Sequence, residues 1–139
     1  MYKVYLDTNV VLDYFLENRG VYEINADLLF EQCVRGEIEC YIAPHTISNV
    51  FYILRKTCSA ESRKLIVSTL CELCKVQTID HAMIEQALND TRFSDLEDAM
   101  QMVCAEKCGA DIFVTRDEKG FRKSHIKVTS HYLSEDVKI

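Results

Sequence analysis

The sequence predicts a three-layer α/β/α sandwich with a central parallel sheet, on three observations. Stretches 2–6 (YKVYL), 37–43 (EIECYIA), 75–79 (KVQTI), 111–115 (DIFVT) and 126–130 (IKVTS) read as strands. Segments of helical periodicity separate most of them, and strands that each return the same way build a parallel sheet covered on both faces. The hydrophobic fraction of 48%, with a single Pro and four Gly, supplies a core and argues against disordered or fibrous chains. At 139 residues, one domain spanning 1–139 is expected.

The elements follow in order. The alternating Tyr and Val of 2–6 make a strand. A helix over 8–18 places Val10, Val11, Tyr14 and Phe15 on its core side, with Thr8 either its cap or a hydrogen-bonding group of a site at the strand end, and Gly20 its end. A second helix is expected from Tyr22 to Arg35, with Ile24, Leu28, Leu29 and Val34 inward and Gly36 after it. After strand 37–43, Pro44 suits a first helical position, and the stripe Ile47, Val50, Phe51, Leu54 carries that helix to about Lys56. Residues 60–74 continue as a helix with Leu65, Ile66, Thr69, Leu70 and Leu73 on its apolar side. Strand 75–79 precedes a helix over 80–90 opened by Asp80. The next helix starts at Ser94 or Asp95 and runs to Cys108 and Gly109, turning Leu96, Ala99, Met100 and Val103 to the core.

The net charge of −6 and pI near 5.2 argue against broad electrostatic adhesion to nucleic acid. They do not exclude a nuclease, because acids can hold cations that then meet phosphate. No apolar run reaches the ~20 residues that span a bilayer, and no basic-then-apolar leader opens the chain, so a cytoplasmic protein without membrane contact is expected. The seven Cys read as reduced, mostly buried thiols, including the Cys71–Cys74 CxxC pair, which has no second pair at zinc spacing. His45, His81, His125 and His131 are scattered and receive no role.

Asp7 stands where the first strand stops. Thr115, Arg116 and Asp117 stand at the end of the fourth. In such sheets chemistry collects at the carboxyl ends of strands. On the helix opened by FSDLEDAMQ, Asp95 and Asp98 lie about 60° apart around the axis and face one spot, while Glu97 turns ~100° from Asp98. Singly, Asp7 and Asp117 are explained as caps, and Asp98 as a first-turn acid. Gathered together, they repel one another unless a cation is present. Oxygen donors without His or Cys point to magnesium or manganese rather than zinc. A phosphatase of the haloacid dehalogenase type is disfavoured, because Asn9 occupies the place of its required general acid. Arg116 reads as a solvated arginine or a fork for a substrate phosphate. Arg55, Lys56, Arg63 and Lys64 read as solvated surface or as a path for substrate.

VYLDTNVVLDYFL and DLEDAMQMVCAEKCGADIFVTRDEKGF resemble the opening and later signatures of the PIN-domain family, of the VapC-like ribonuclease toxin type. The resemblance covers nearly the whole chain in element order. It implies a magnesium- or manganese-dependent endoribonuclease whose products carry a 5′-phosphate. Asp7, Asp98 and Asp117 match the family's metal-holding acids; from their placement alone, Asp95 is expected as an auxiliary ligand and Thr115 as a hydrogen-bonding helper. It also implies an RNA substrate, a small antitoxin protein as partner, and a homodimer. The family usually has Glu on the helix after the second strand, where APHTISNVFYILRK places Asn49. Asn49 accepts a water or an ion but adds no charge. The alternative expectation is a catalytically weak or inactive PIN-like module that binds RNA or a protein.

Overall fold

The computed structural model describes residues 1–16 and 26–132. Its elements run β1 (Tyr2–Leu6), α1 (Thr8–Phe15), α2 (Ala26–Val34), β2 (Ile38–Ile42), α3 (Pro44–Ile53) with a short 3₁₀ turn (Leu54–Lys56), α4 (Ala60–Leu73), β3 (Cys74–Val76), α5 (His81–Leu88), α6 (Leu96–Cys108), β4 (Ile112–Val114) and β5 (Lys127–Thr129). The five strands pair in parallel in the order β3-β2-β1-β4-β5. The expected sheet and layers are therefore present. Gly20, and Tyr22 and Ile24 of the second expected helix, lie outside the described residues.

Alternation along β1 builds the layers. Val4 and Leu6 face one side with Leu12, Leu29, Phe30, Val50 and Leu70 of α1 to α4. Tyr5 faces the other with Met83, Ala87, Met102 and Val103 of α5 and α6. The Tyr5 ring stacks on Phe113 of β4 at 5.0 Å. Burial of such large rings dominates core energetics. Local signals end the helices where they should. Pro44 opens α3, Asp80 accepts the Met83 N–H at the start of α5, and Gly109, at φ 73°, closes α6 in the left-handed region.

Some expectations fail at the surface. Val34 and Leu65 are 73% and 70% exposed, and Leu96 is 43% exposed. Each sits at a helix flank or end, where periodicity predicts a direction but not whether a neighbour arrives to cover it. Tyr14 tilts against Phe30 at 4.3 Å yet stays 38% exposed rather than joining the core. β3 and β4 are shorter than their apolar runs because β3 pairs only from Cys74 to Val76 and β4 only from Ile112 to Val114. The Cys residues are all free thiols, four of them buried, but Cys71 is exposed, so the CxxC pair diverges between α4 and β3. Among the described residues no helix is long and apolar enough to cross a membrane.

The strand order sets the site. The chain steps outward from β1 through β2 to β3, then places β4 on the opposite side of β1. The carboxyl ends of β1 and β4 are neighbours at the point where the order reverses, which is where open α/β sheets hold their ligands.

Candidate functional site

At that point lies a cleft of about 430 Å³, walled by Asp7, Thr8, Asn49, Asp95, Glu97, Asp98, Gln101 and Asp117, with Tyr52 and Phe121 at its sides. All five residues singled out from the sequence (Asp7, Asn49, Asp95, Asp98 and Asp117) meet there, from β1, α3, the start of α6 and the turn after β4.

Asp7 is 8% exposed, a costly position for a carboxylate. Its Oδ1 accepts from the Thr8 N–H at 2.7 Å and from Gln101 Nε2 at 2.9 Å, and its Oδ2 accepts from the Thr115 hydroxyl at 2.7 Å. Charge-assisted hydrogen bonds of this kind repay desolvation. The acid is also the N-cap of α1. Capping and site membership are one arrangement, not rival explanations.

Gln101 is the residue sequence reasoning missed. It is 1% exposed, and its Oε1 accepts from the Tyr5 hydroxyl at 3.4 Å while its Nε2 holds Asp7. Burial pushes the Tyr5 phenol well above its ordinary range, so it remains a donor. A Gln on the core face of a helix carried the only available signal. Replacing it with Leu is expected to remove one support from Asp7 and orphan the Tyr5 hydroxyl, costing about 1–3 kcal/mol of stability. The same change should lower any activity of the cleft by roughly 10–100-fold, the usual effect of losing a group that orients a metal ligand. A thermal melt and a cleavage assay on Gln101→Leu check both.

Thr115 couples two acids. Its hydroxyl donates to Asp7 and accepts the Asp117 N–H at 3.0 Å. Asp117 Oδ1 in turn accepts the Gly120 N–H at 2.9 Å. A Cβ on residue 120 would sit 2.2 Å from Asp117 Oδ2, so only Gly leaves that carboxylate its place. Asp95 caps α6, accepting the Asp98 N–H at 3.0 Å, which commits one of its oxygens to the helix.

Two placements correct the sequence reading. Glu97 does not turn away. It lines the cleft, and Asn49 Nδ2 donates to its Oε1 at 3.3 Å. The open end of α6 projects into the cleft, so both flanks of its first turn reach it. Arg116 is neither solvated nor free for phosphate. Its Nε donates to Asp13 Oδ2 at 2.9 Å, and its second nitrogen closes a two-pronged pair on the same carboxylate, tying the turn after β4 to α1. Both arginines of the basic cluster are also engaged. Arg55 stacks on Tyr52 at 3.6 Å and Arg63 on Phe51 at 4.2 Å, each donating to a backbone oxygen.

The acids feel one another. Burial and then Asp95, Asp7, Glu97 and Asp117 push Asp98 up to about 6. Desolvation, then Asp7 and Asp95, raise Glu97. Such mutual repulsion is what a hard cation relieves. The donor set is oxygen throughout, and the Thr8 hydroxyl, 7% exposed and lining the cleft, has no hydrogen-bond partner among the described residues. In kind, these groups fit magnesium or manganese. Among the described residues no three acidic, His or Cys side chains stand close enough to grip an ion together. Asp98 and Asp117 both keep solvent-exposed surface.

Comparison with known proteins agrees with this architecture. A family model described as PIN domain matches residues 3–119. Ribonuclease VapC1 of Aquifex aeolicus is 28% identical over 133 residues, covering 91% of this chain and 88% of that protein. The structure of VapBC-1 from nontypeable Haemophilus influenzae superposes with a TM-score of 0.64 at 15% identity over 91% of this chain and 96% of that one. DNA-bound VapBC from Salmonella typhimurium superposes with a TM-score of 0.65 at 19% identity over 93% and 98%.

Proposed function

The chain belongs to the PIN-domain family, and on that premise we propose that it is a metal-dependent endoribonuclease, the toxin of a toxin–antitoxin pair, acting in the cytoplasm as one unit over 1–139. The observation that carries this reading is the meeting of Asp7, Asp98, Asp117, Asp95 and Asn49 in one cleft at the β1/β4 switch. A relative named as a ribonuclease supports the reaction class.

Asp7, Asp98 and Asp117, with Asp95 beside them, would hold magnesium or manganese. When bound, such an ion polarises a phosphoryl oxygen and makes water a stronger nucleophile at neutral pH. The chain's own contribution is position. Gln101 and Thr115 fix Asp7 so that it cannot swing out. Thr115 and Gly120 set Asp117 against it. Asn49 holds Glu97 through its amide nitrogen and offers its amide oxygen to water, so Glu97 supplies the negative charge that Asn49 lacks. The unpaired Thr8 hydroxyl is available to a water or a substrate oxygen. No side chain bonds covalently to RNA. Water adds to phosphorus, the bond to the 3′ oxygen breaks, and the product carries a 5′-phosphate.

Solved structures of similar fold contain VapBC and FitAB assemblies. They support a small antitoxin protein as partner of this chain; a homodimer as its working form belongs to the same proposal. A second reading, a PIN-like module that binds RNA or protein without cutting, is favoured by Asn49 and by the spread of the acids.

One experiment separates them. The purified protein is incubated with structured RNAs, with and without magnesium or manganese, beside Asp7→Asn and Asp98→Asn. Ion-dependent cleavage lost in both variants is expected. Cleavage that persists unchanged in both removes the assigned site. No cleavage, with no rise in melting temperature on adding either ion, favours the binding module, because a bound cation stabilises the native state by mass action.

A further inference from the structure

An acidic cleft in a chain of net charge −6 repels the polyanion it is proposed to cut. Something beside the acids must attract RNA. Beside them lies a second depression of about 510 Å³, which shares Asp98 and Asp117 with the acidic cleft and is rimmed by Lys119, Arg122 and Lys123. All three are exposed, and among the described residues their side chains have no hydrogen bond or ion pair. Other cations near the site are already engaged. Arg92 bridges Asp90 at 2.8 Å and Glu106 at 2.7 Å, Arg116 is held by Asp13, and Arg55 lies on Tyr52.

The turn that carries the three free cations is fixed to the acids. Phe121, 1% exposed, packs between Phe93 at 5.8 Å and Phe113 at 4.5 Å, and so anchors the turn to β4. The Gly120 N–H holds Asp117. The Ser124 N–H donates to the Phe121 carbonyl at 2.9 Å, closing the turn. Free guanidinium and ammonium groups at a set offset from a carboxylate are the arrangement that phosphate contacts need: they position a strand without reading its sequence.

We propose that Lys119, Arg122 and Lys123 bind backbone phosphates of a single RNA strand beside Asp117, and so lay one phosphodiester over the acids. This rests on the ribonuclease reading of the cleft, which it deepens by assigning the substrate-holding wall. The three cations act by contact with substrate and take no part in bond breaking. Their removal should therefore affect binding and KM far more than kcat.

The test uses a fluorescently labelled single-stranded RNA and the full chain in chelator, where no turnover occurs. Binding is measured between 50 and 200 mM salt for the wild type, for the triple variant Lys119→Gln, Arg122→Gln, Lys123→Gln, and for a control triple variant with the same charge change on exposed residues away from the cleft (Arg35→Gln, Lys75→Gln, Lys107→Gln). Each lost phosphate contact lowers the slope of log affinity against log salt by about 0.7, so the test variant should lose roughly 2 units of slope. Its affinity should fall at least about tenfold at low salt, with an unchanged melting temperature, and its KM with manganese should rise by a similar factor. The control should change little. Equal losses in both triples, an unchanged slope in the test variant, or no measurable wild-type binding at 50 mM salt overturns the proposal. Should the wild type cleave RNA while the test variant binds and cleaves as well as it does, the basic wall is wrong and the nuclease reading stands. Should the wild type cleave nothing while only the test variant loses slope, the nuclease reading fails and the basic wall stands.

Discussion

Asp7→Asn is expected to lower RNA cleavage by at least about a hundredfold, while the protein stays folded. Removing one group that stabilises developing charge typically costs 10²–10³-fold, and Asp7 is the most firmly held acid in the cleft. The fold survives because Asn keeps an oxygen to accept from Gln101 and the Thr8 N–H. The Thr115 hydroxyl can then rotate to accept from the new amide, since hydroxyl protons turn to suit their neighbours. Asp7→Ala is different. It leaves Gln101 Nε2 and the Thr115 hydroxyl, both buried, without their acceptor. Each orphan costs about 1–3 kcal/mol, so the Ala variant should melt several degrees lower as well as being inactive. A cleavage assay with manganese beside thermal melts of both variants separates chemistry from stability. Full activity in Asp7→Asn would remove Asp7 from the site.

Asp98→Asn is expected to kill cleavage to a similar degree and yet raise the melting temperature of the ion-free protein at pH 8. Asp98 titrates at about 6 in the folded chain, above its ordinary 3.8. As pH falls, the folded state therefore takes up this proton before the unfolded state does. Ionised Asp98 weighs against the fold above pH 6, and the penalty fades between pH 6 and about 4. The neutral Asn carries no such penalty, so its advantage should be largest at pH 8 and should shrink at pH 4.5. The carboxyl is partly solvated, which tempers the size of the effect but not its sign. The helix dipole works the other way, since it favours an acid in the first turn of α6. The raised value means that burial and four neighbouring acids outweigh it. Manganese should reverse the ranking, stabilising the wild type by mass action and the variant little. Melts at two pH values, with chelator and with manganese, read all four conditions. A variant less stable than the wild type in chelator at both pH values would show that the acids do not strain the fold.

The sequence carried the fold and half of the site for a common reason: both were written in local patterns. Asp7 follows an alternating strand, Asp98 opens a capped helix, and Asp117 ends an apolar run, so each could be placed at the edge of an inferred sheet. Gln101 was invisible in the same terms. A Gln on the core side of a helix is unremarkable until Tyr5 and Asp7, about a hundred residues earlier in the chain, are seen to use both ends of its amide. Glu97 was misdirected because a helical wheel measures angle about an axis, whereas an open helix end reaches in several directions. Arg116 looked solvated because nothing in its neighbourhood names Asp13 as its partner. The basic cluster Arg55 and Arg63 drew attention as a run of charge, yet both stack on their own aromatics. Beside the acids, among the described residues, the cations left free are Lys119, Arg122 and Lys123, on a turn that reads as ordinary surface.

By itself, then, the amino-acid order determined the layered parallel sheet, the family, and the three acids at strand and helix ends, because periodicity, capping and strand-end placement act over a few residues and depend little on distant partners. Tertiary structure alone decided which neighbours hold those acids, which charges remain unspent, and that Glu97 joins Asn49 in the cleft. Those matters depend on contacts between segments far apart in sequence, and a buried hydrogen bond or ion pair has no meaning until packing has chosen both of its ends.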